Sequence, residues 1–247
     1  MPGSGVDQRG RGFPATRHSM IERLRAGGST VRRQAFGDLV EGYWKAVYTH
    51  LRLTWRLGVE DAQDATQAFF AEAFEKAWFE RFDPDQARFR TFLRVCADRF
   101  AQHRREAAAA DKRGGDVQIV ALDFAGAERL VLARLPAPAI DPDAVFHEEF
   151  VRALFERAVH AVRTELHATG RAHVFAMFER YDLVPRESDS YAALASELGV
   201  TVAQVTNGLA LARRRFREHA LDELRRVCGT DDEFRRDARE LFGVEVE

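Results

Sequence analysis

Three sets of residues in this chain have types and spacings suited to chemistry. The first is Asp61-x-x-Asp64-x-x-Gln67, with Glu75 further along the same run, EDAQDATQAFFAEAFEKAWF, from Glu60 to Phe79. Positions three apart lie along one side of a helix, so two carboxylates and an amide form an edge there. Such an edge meets a partner's arginines by charge-assisted hydrogen bonds. The second set is the cations of ARFRTFLRVCADRFAQHRRE: Arg88, Arg90, Arg94, Arg99, His103, Arg104 and Arg105. A basic helix with aromatic residues at its start can hold a single-stranded backbone and accept an unstacked base. The third is SYAALASELGVTVAQVTNGLALARRRFRE. Thr201, Gln204, Thr206 and Asn207 come before Arg213, Arg214, Arg215 and Arg217. Side-chain amides pair with adenine edges and guanidiniums hold phosphate.

All of this is recognition chemistry. The eight histidines are scattered, and the chain has no H-E-x-x-H, no C-x-x-C and no glycine-rich phosphate loop. The expectation is therefore no catalytic residue, no metal site, no cofactor and no enzyme. Each set also has a plainer alternative. On pattern alone the acidic edge is the solvated side of an ordinary amphipathic core helix. The arginines read as snorkelling side chains around another core helix, and the third set as an unrelated helical hairpin. The formal net charge of -2 bears on the choice. A protein that binds DNA alone usually carries a clear positive balance. Either DNA is not the partner, or a second protein supplies most of the phosphate contacts. Cys96 and Cys228 have no metal spacing and read as reduced thiols of a cytoplasmic protein. No apolar run is long enough to span a membrane, and the N-terminus has no apolar core for a signal peptide.

The elements that must position these residues read as helices throughout. The expected fold is all-α, with two helical domains joined by a long linker and a helix-turn-helix in the second. Residues 1–15 are rich in Gly, Arg and Pro and read as a disordered tail. The first domain, 16–106, begins with a short helix that carries Met20, Ile21 and Leu24 on one face and ends at Gly27-Gly28. Ser29 or Thr30 can cap the next helix, whose stripe of Tyr43, Trp44, Val47, Tyr48 and Leu51 runs to about Leu57. The acidic helix, 60–79, turns Phe70, Phe74, Ala77 and Trp78 to the core. Asp83-Pro84-Asp85 is a loop, and the basic helix starts near Ala87 with Phe89, Phe92, Leu93, Cys96 and Phe100 inward.

Periodicity fades over 107–143, roughly thirty-five residues, and loops that long are usually functional or mobile. Val117–Phe124 reads there as one extended segment, with Pro136, Pro138 and Pro142 after it. The second domain, 144–247, opens with Phe146, Phe150, Leu154, Ala158, Val162 and Leu166 on one helical face, followed by a helix over 171–181. Ala195, Gly199 and Val205 then have helix-turn-helix spacing: a small residue at the crossing, a glycine in the turn and a plug on the second helix. Residues 222–247 read as a further charged helix anchored by Phe234, Leu241 and Phe242, with no role assigned.

Read together, these motifs resemble the extracytoplasmic-function group of bacterial RNA polymerase sigma factors. DAQDATQAFF is similar to that group's polymerase-binding run, DAxDLTQExF. FRTFL stands where the group has FRxWL, next to the loop that reads the minus-ten promoter element, with Phe92 in place of the usual Trp. YAALASELGV and ARRRFRE match the promoter-reading segment YAEIAxxLGVSxGTVKSRLxRARRRLR, although Thr206, Gly208 and Leu211 occupy positions that are basic in the group. The resemblance covers about residues 13–223. It implies that Asp61, Asp64, Gln67 and Glu75 dock on the β′ clamp of core RNA polymerase. It also implies that Arg88, Arg90, Arg99, His103 and Arg104 face promoter DNA at the minus-ten element. Thr201, Gln204, Thr206, Asn207, Arg213, Arg214 and Arg215 would face the minus-thirty-five element. The linker would thread the polymerase channel, and an anti-sigma factor or other regulator would be a further partner. The other reading is a stand-alone helix-turn-helix transcriptional regulator.

Overall fold

The computed structural model describes residues 19–108, 122–134, 141–185 and 190–246. Among them every regular element is helical. Helix α1, Met20–Ala26, starts at Ser19 with a capping box: the Ser19 hydroxyl accepts from the Glu22 amide, and the Glu22 carboxylate accepts from the Ser19 amide. Helix α2, Ser29–Leu53, follows at once. Its N-cap is Gly28 and not the expected Ser29 or Thr30. The turn is tight, since a Cβ at Gly27 would lie 2.4 Å from the Arg23 carbonyl oxygen. Helix α2 is the central rod, with Leu39, Val40, Tyr43, Val47, Tyr48 and Leu51 buried along it.

Helix α3, Val59–Glu75, stops four residues short of the expected Phe79. Ala77 takes a left-handed φ of 50°, and Trp78–Arg81 form one 3-10 turn. The break returns Phe79 and Phe82 to the core, where Phe79 stacks on Phe36 at 5.9 Å and Phe82 meets Phe89 edge-on at 5.2 Å. Phe69 and Phe70 hold the centre of the α3 interface, whereas Phe74, expected inside, is only half-buried under the Arg32 guanidinium. Helix α4, Phe89–Ala108, buries Phe89, Leu93, Ala97 and Phe100.

The stretch read as a linker, 107–143, carries helix α5, Phe124–Arg134. Phe124 packs against Trp44 and Tyr48, and Ala127 and Val131 are buried. Phe124 therefore belongs to a helix and not to an extended segment; Val117 to Ala121 and the tail 1–15 lie outside the described residues. Helix α6, Pro142–Ala168, begins with Asp141 as N-cap and Pro142 in the first turn, where a missing N–H costs nothing. Then come α7, Ala172–Phe178, a π-turn, Glu179–Leu183, and α8, Tyr191–Leu198. Helix α9, Val202–Val227, runs past the expected boundary at 222, and α10, Asp231–Phe242, is the last helix among the described residues.

The buried side chains form two cores, and these do not follow the expected boundaries at 106 and 144. The larger takes residues from α1 to α5 together with Phe146, Phe150 and Leu154 of α6, Leu221, Leu224 and Val227 of α9, and Phe234 and Ala238 of α10. The smaller holds Val162, Leu166, Val174, Phe175, Phe178, Leu194, Val205, Leu209 and Ala212. Helices α6 and α9 run through both. The seam between the halves is tight: a Cβ at Gly42 would lie 2.6 Å from Val227, and the Tyr43 hydroxyl donates to the Val227 carbonyl at 3.3 Å. Among the described residues no helix is long and apolar enough to cross a membrane.

Candidate functional site

The three recognition sets end up in three different situations. On α3, Ala62, Ala65, Thr66, Phe69, Phe70 and Ala73 are buried, so the opposite side of the helix must face out. Asp61, Asp64 and Glu75 are exposed there and Gln67 is half-buried. Among the described residues Asp61, Asp64 and Gln67 have no side-chain hydrogen bond or ion pair. Glu75 sits next to Lys76, whose amine binds Glu72 at 2.7 Å. The result is a carboxylate edge whose acceptors are not consumed among the described residues.

On α4 the cations separate into two groups. Arg99, His103 and Arg104 are exposed on the later turns, and Arg105 lies over Trp55 at 5.3 Å. Arg88 and Arg90, read from sequence as part of the same outward surface, do not share it, because α10 binds them. Arg90, 9% exposed, meets Asp237 at 2.5 Å. Arg88 reaches Asp237 at 3.2 Å and grips Glu240 with both Nη atoms, at 2.8 and 2.6 Å. The Glu240 hydrogen bond raises the Arg88 pKa, and Arg88 in turn holds the Glu240 carboxyl low. A third α10 carboxylate, Glu233, accepts from the Phe89 amide at 2.9 Å and from the Gly229 amide at 3.0 Å. Burial, with Asp237 nearby, pushes Glu233 up to about 7. Sequence reading missed these acidic partners. Their signal was the spacing of Glu233, Asp237 and Glu240, which places three carboxylates on one stripe of a helix.

Arg94 is also engaged, by Asp98 at 2.7 Å and by Asp143 of α6. Asp98 accepts from Trp55 at 2.9 Å and faces His50 Nε2 at 2.6 Å, while Thr54 Oγ1 lies 3.2 Å from His50 Nδ1. Burial alone would raise Asp98, but the His50 and Trp55 hydrogen bonds and the Arg94 charge outweigh it and hold the carboxyl low. Thr54, His50 and Asp98 thus stand in line, yet Asp98 also serves Trp55 and Arg94, so the group clamps α2, α4 and α6 together. A groove of about 290 Å³ opens beside Arg88 and Arg90, lined also by Thr91, Asp143, Phe146 and His147. The His147 Nδ1 atom is buried next to it without a hydrogen-bond partner among the described residues.

In the third set, Ser190 caps α8 and Gly199 takes the left-handed turn at φ 65°. Thr201 and Gln204 form a capping box at the start of α9, and Val205 is fully buried beneath it. The capping box occupies the oxygens of two expected base-reading residues, since Gln204 Oε1 accepts from the Thr201 amide at 2.8 Å. Thr206 donates back to the Val202 carbonyl at 2.9 Å. Asn207 is exposed, with no side-chain partner among the described residues. Arg213 is held by both oxygens of Asp182, at 3.0 and 2.7 Å, and Arg215 by Glu165 and Glu218. Arg214 and Arg217 remain exposed. Gly208 faces α7, where a Cβ would lie 2.8 Å from Met177 Sδ, so the glycine that weakens the helix lets α9 approach α7 closely.

The structure therefore leaves Asp61, Asp64, Arg99, His103, Arg104, Asn207 and Arg214 facing outward and gives Arg88, Arg90, Arg213 and Arg215 internal partners. No model of a known family, no curated protein and no solved structure matches the chain.

Proposed function

We propose that the chain is a sigma factor of the extracytoplasmic-function type, which binds core RNA polymerase and directs it to promoters. One observation carries the proposal: on α3, Asp61 and Asp64 are exposed beside a half-buried Gln67, and the three have no side-chain partner among the described residues, while the other side of the same helix is fixed in the core. A rigid helix that presents free acceptors in register suits docking on cationic groups of a second protein. In this reading the outward cations of α4 hold promoter single strand near the melting point, and the α8–α9 pair forms a helix-turn-helix with Asn207 at bases and Arg214 at phosphate. The near-neutral net charge fits a protein whose affinity comes from polymerase more than from free DNA. Mixing the pure chain with core polymerase and separating the products by size tests the reading. A stoichiometric complex is expected, and failure to form one at micromolar concentrations, on the order of ordinary specific affinities, would overturn it.

The second reading is a stand-alone helix-turn-helix regulator. The exposed Asn207, Arg214 and Arg217 along α9 favour it. Such a protein binds duplex DNA unaided with a steep salt dependence, whereas the proposed sigma factor binds poorly until polymerase is present.

A further inference from the structure

Helix α10 meets the start of α4 mainly through charge. Arg88 holds Glu240 in the forked geometry that guanidinium also uses for phosphate. Asp237, whose side chain is 1% exposed, sits between Arg88 and Arg90. Buried ion pairs of this kind add little net stability over apolar packing, because both ions give up water. The apolar anchor of α10 is small: Phe234 and Ala238 are buried, and Leu241 and Phe242 are only partly covered. Twelve residues are too few for a helix to persist in water on its own. The connection to α9 is a short turn through Cys228, Gly229 and Thr230. The groove beside Arg88 and Arg90 leaves one approach to the two guanidiniums open while α10 is in place.

We propose that α10 is an internal cover over the arginines at the start of α4, its carboxylates standing where nucleic-acid phosphates bind once it lifts. The proposal rests on the reading of α4 as a nucleic-acid contact. Closed, α4 presents only its later cations to DNA. Open, Arg88 and Arg90 join them. DNA and α10 therefore compete for the same two guanidiniums, and each weakens the binding of the other.

The structure supplies its own reporter. Cys228 lies in the turn that carries α10, is 2% exposed, and has its thiol pKa pushed up by burial. Reaction of Cys228 with a thiol reagent thus requires the cover to open. The test uses the full chain with Cys96→Ser, so that a single thiol is read, and a labelled single-stranded oligonucleotide as the nucleic-acid probe. One variant is Asp237→Asn with Glu240→Gln. The other is Gly229→Ala, which alters no charge but places a Cβ 2.8 Å from Phe82 and 3.0 Å from Phe89. Both variants should modify Cys228 at least about tenfold faster, as expected when local opening becomes easier. Both should bind the oligonucleotide at least about tenfold more tightly at low salt, with a salt slope steeper by roughly two, one for each freed arginine. The oligonucleotide should also accelerate Cys228 modification in the parent chain. If Cys228 stays protected in both variants, α10 is a fixed part of the fold and the cover is overturned, while the reading of α4 stands. If Cys228 opens but oligonucleotide binding is unchanged, α4 is no nucleic-acid contact and the proposal falls with that reading. Should the charge variant lose helical signal as a whole, Gly229→Ala decides by the same two readouts.

Discussion

Arg52 and Glu128 form a forked ion pair, Nε to Oε2 at 2.9 Å and Nη2 to Oε1 at 2.6 Å. The Tyr48 hydroxyl donates to the same carboxylate at 2.6 Å. The Arg52 hydrogen bond holds Glu128 low, and burial pushes Tyr48 up to about 12. These contacts pin α5 to α2. Glu128→Ala should cost about 1–3 kcal/mol, because it leaves the buried Tyr48 hydroxyl without its acceptor and takes from Arg52 its carboxylate partner. Chemical denaturation measures the loss, and hydrogen exchange should show α5 losing protection first. Unchanged exchange over 124–134 would mean that Phe124 and Val131 hold the helix unaided.

Phe69 and Phe74 share a helix but differ in burial, so they should differ in cost. Phe69→Ala empties a fully buried site ringed by Phe70, Trp78, Phe79 and Phe100 and should destabilise by about 3–5 kcal/mol. Phe74→Ala, half-exposed beneath Arg32, should cost about half of that. Equal losses in thermal melting would contradict the burial pattern.

Asp64→Arg tests the docking edge. Asp64 is exposed, with no side-chain partner among the described residues, so the change should alter stability by no more than about 0.5 kcal/mol. If the proposed docking holds, affinity for core polymerase should fall by at least about tenfold, and by as much as about a thousandfold, since an arginine would then face a cationic partner. Melting and affinity are measured on the same preparation. A variant that binds like the parent would show the edge to be plain solvated surface.

Glu233 makes a pH prediction. Its folded pKa, about 7, stands above the ordinary 4.5, so the folded chain holds the proton more firmly than the unfolded chain. The contribution is fully present below the unfolded value and is lost as pH rises through about 7. Asp237 of α10, Arg88 and Arg90 of α4, Tyr43 of α2 and Cys228 of the turn all sit around it. Protection of α10 against exchange should therefore weaken between about pH 5 and pH 8, and Glu233→Gln should flatten that change. A steeper dependence in the variant would place the titration elsewhere.

Along α9, Arg214 and Arg213 should behave differently despite being neighbours. If α9 meets DNA as proposed, Arg214→Ala should lower the salt slope of DNA binding by about 1, as loss of one phosphate contact does. Arg213→Ala should instead loosen the π-turn, because its guanidinium holds Asp182 and Tyr191. Asn207→Ala should relax preference at one base position by about 1–3 kcal/mol. Uniform weakening across sequences would move Asn207 to phosphate.

Periodicity carried the helices that bury a long stripe. Met20, Tyr43, Phe89, Phe150 and Val205 are all buried as their spacing required. Helix α5 escaped because its eleven residues give one short apolar face, Phe124, Ala127 and Val131, in a stretch punctuated by glycine and proline. The α3 break escaped because nothing in EKAWF marks Ala77 as left-handed; the demand comes from Phe36 and Phe89, which receive Phe79. The exposed edge at Asp61 and Asp64 was legible, since its opposite face is so plainly apolar. The engagement of Arg88 and Arg90 was not, because their partners lie far along the chain and only the fold brings them together.

Helices α6 and α9 contribute to both cores and lie antiparallel, with Arg157 bound to Glu223 at one level and Glu165 bound to Arg215 and His219 at another. Helix α9, 26 residues long, is a beam of about 39 Å at 1.5 Å per residue. Two antiparallel struts braced at two heights resist both bending and twisting. The spacing between the carboxylates on α3 and the first turns of α9 is therefore set like the span of a caliper. Phe155 and Phe216, whose ring centroids lie 5.3 Å apart, pack the two struts against each other between those braces.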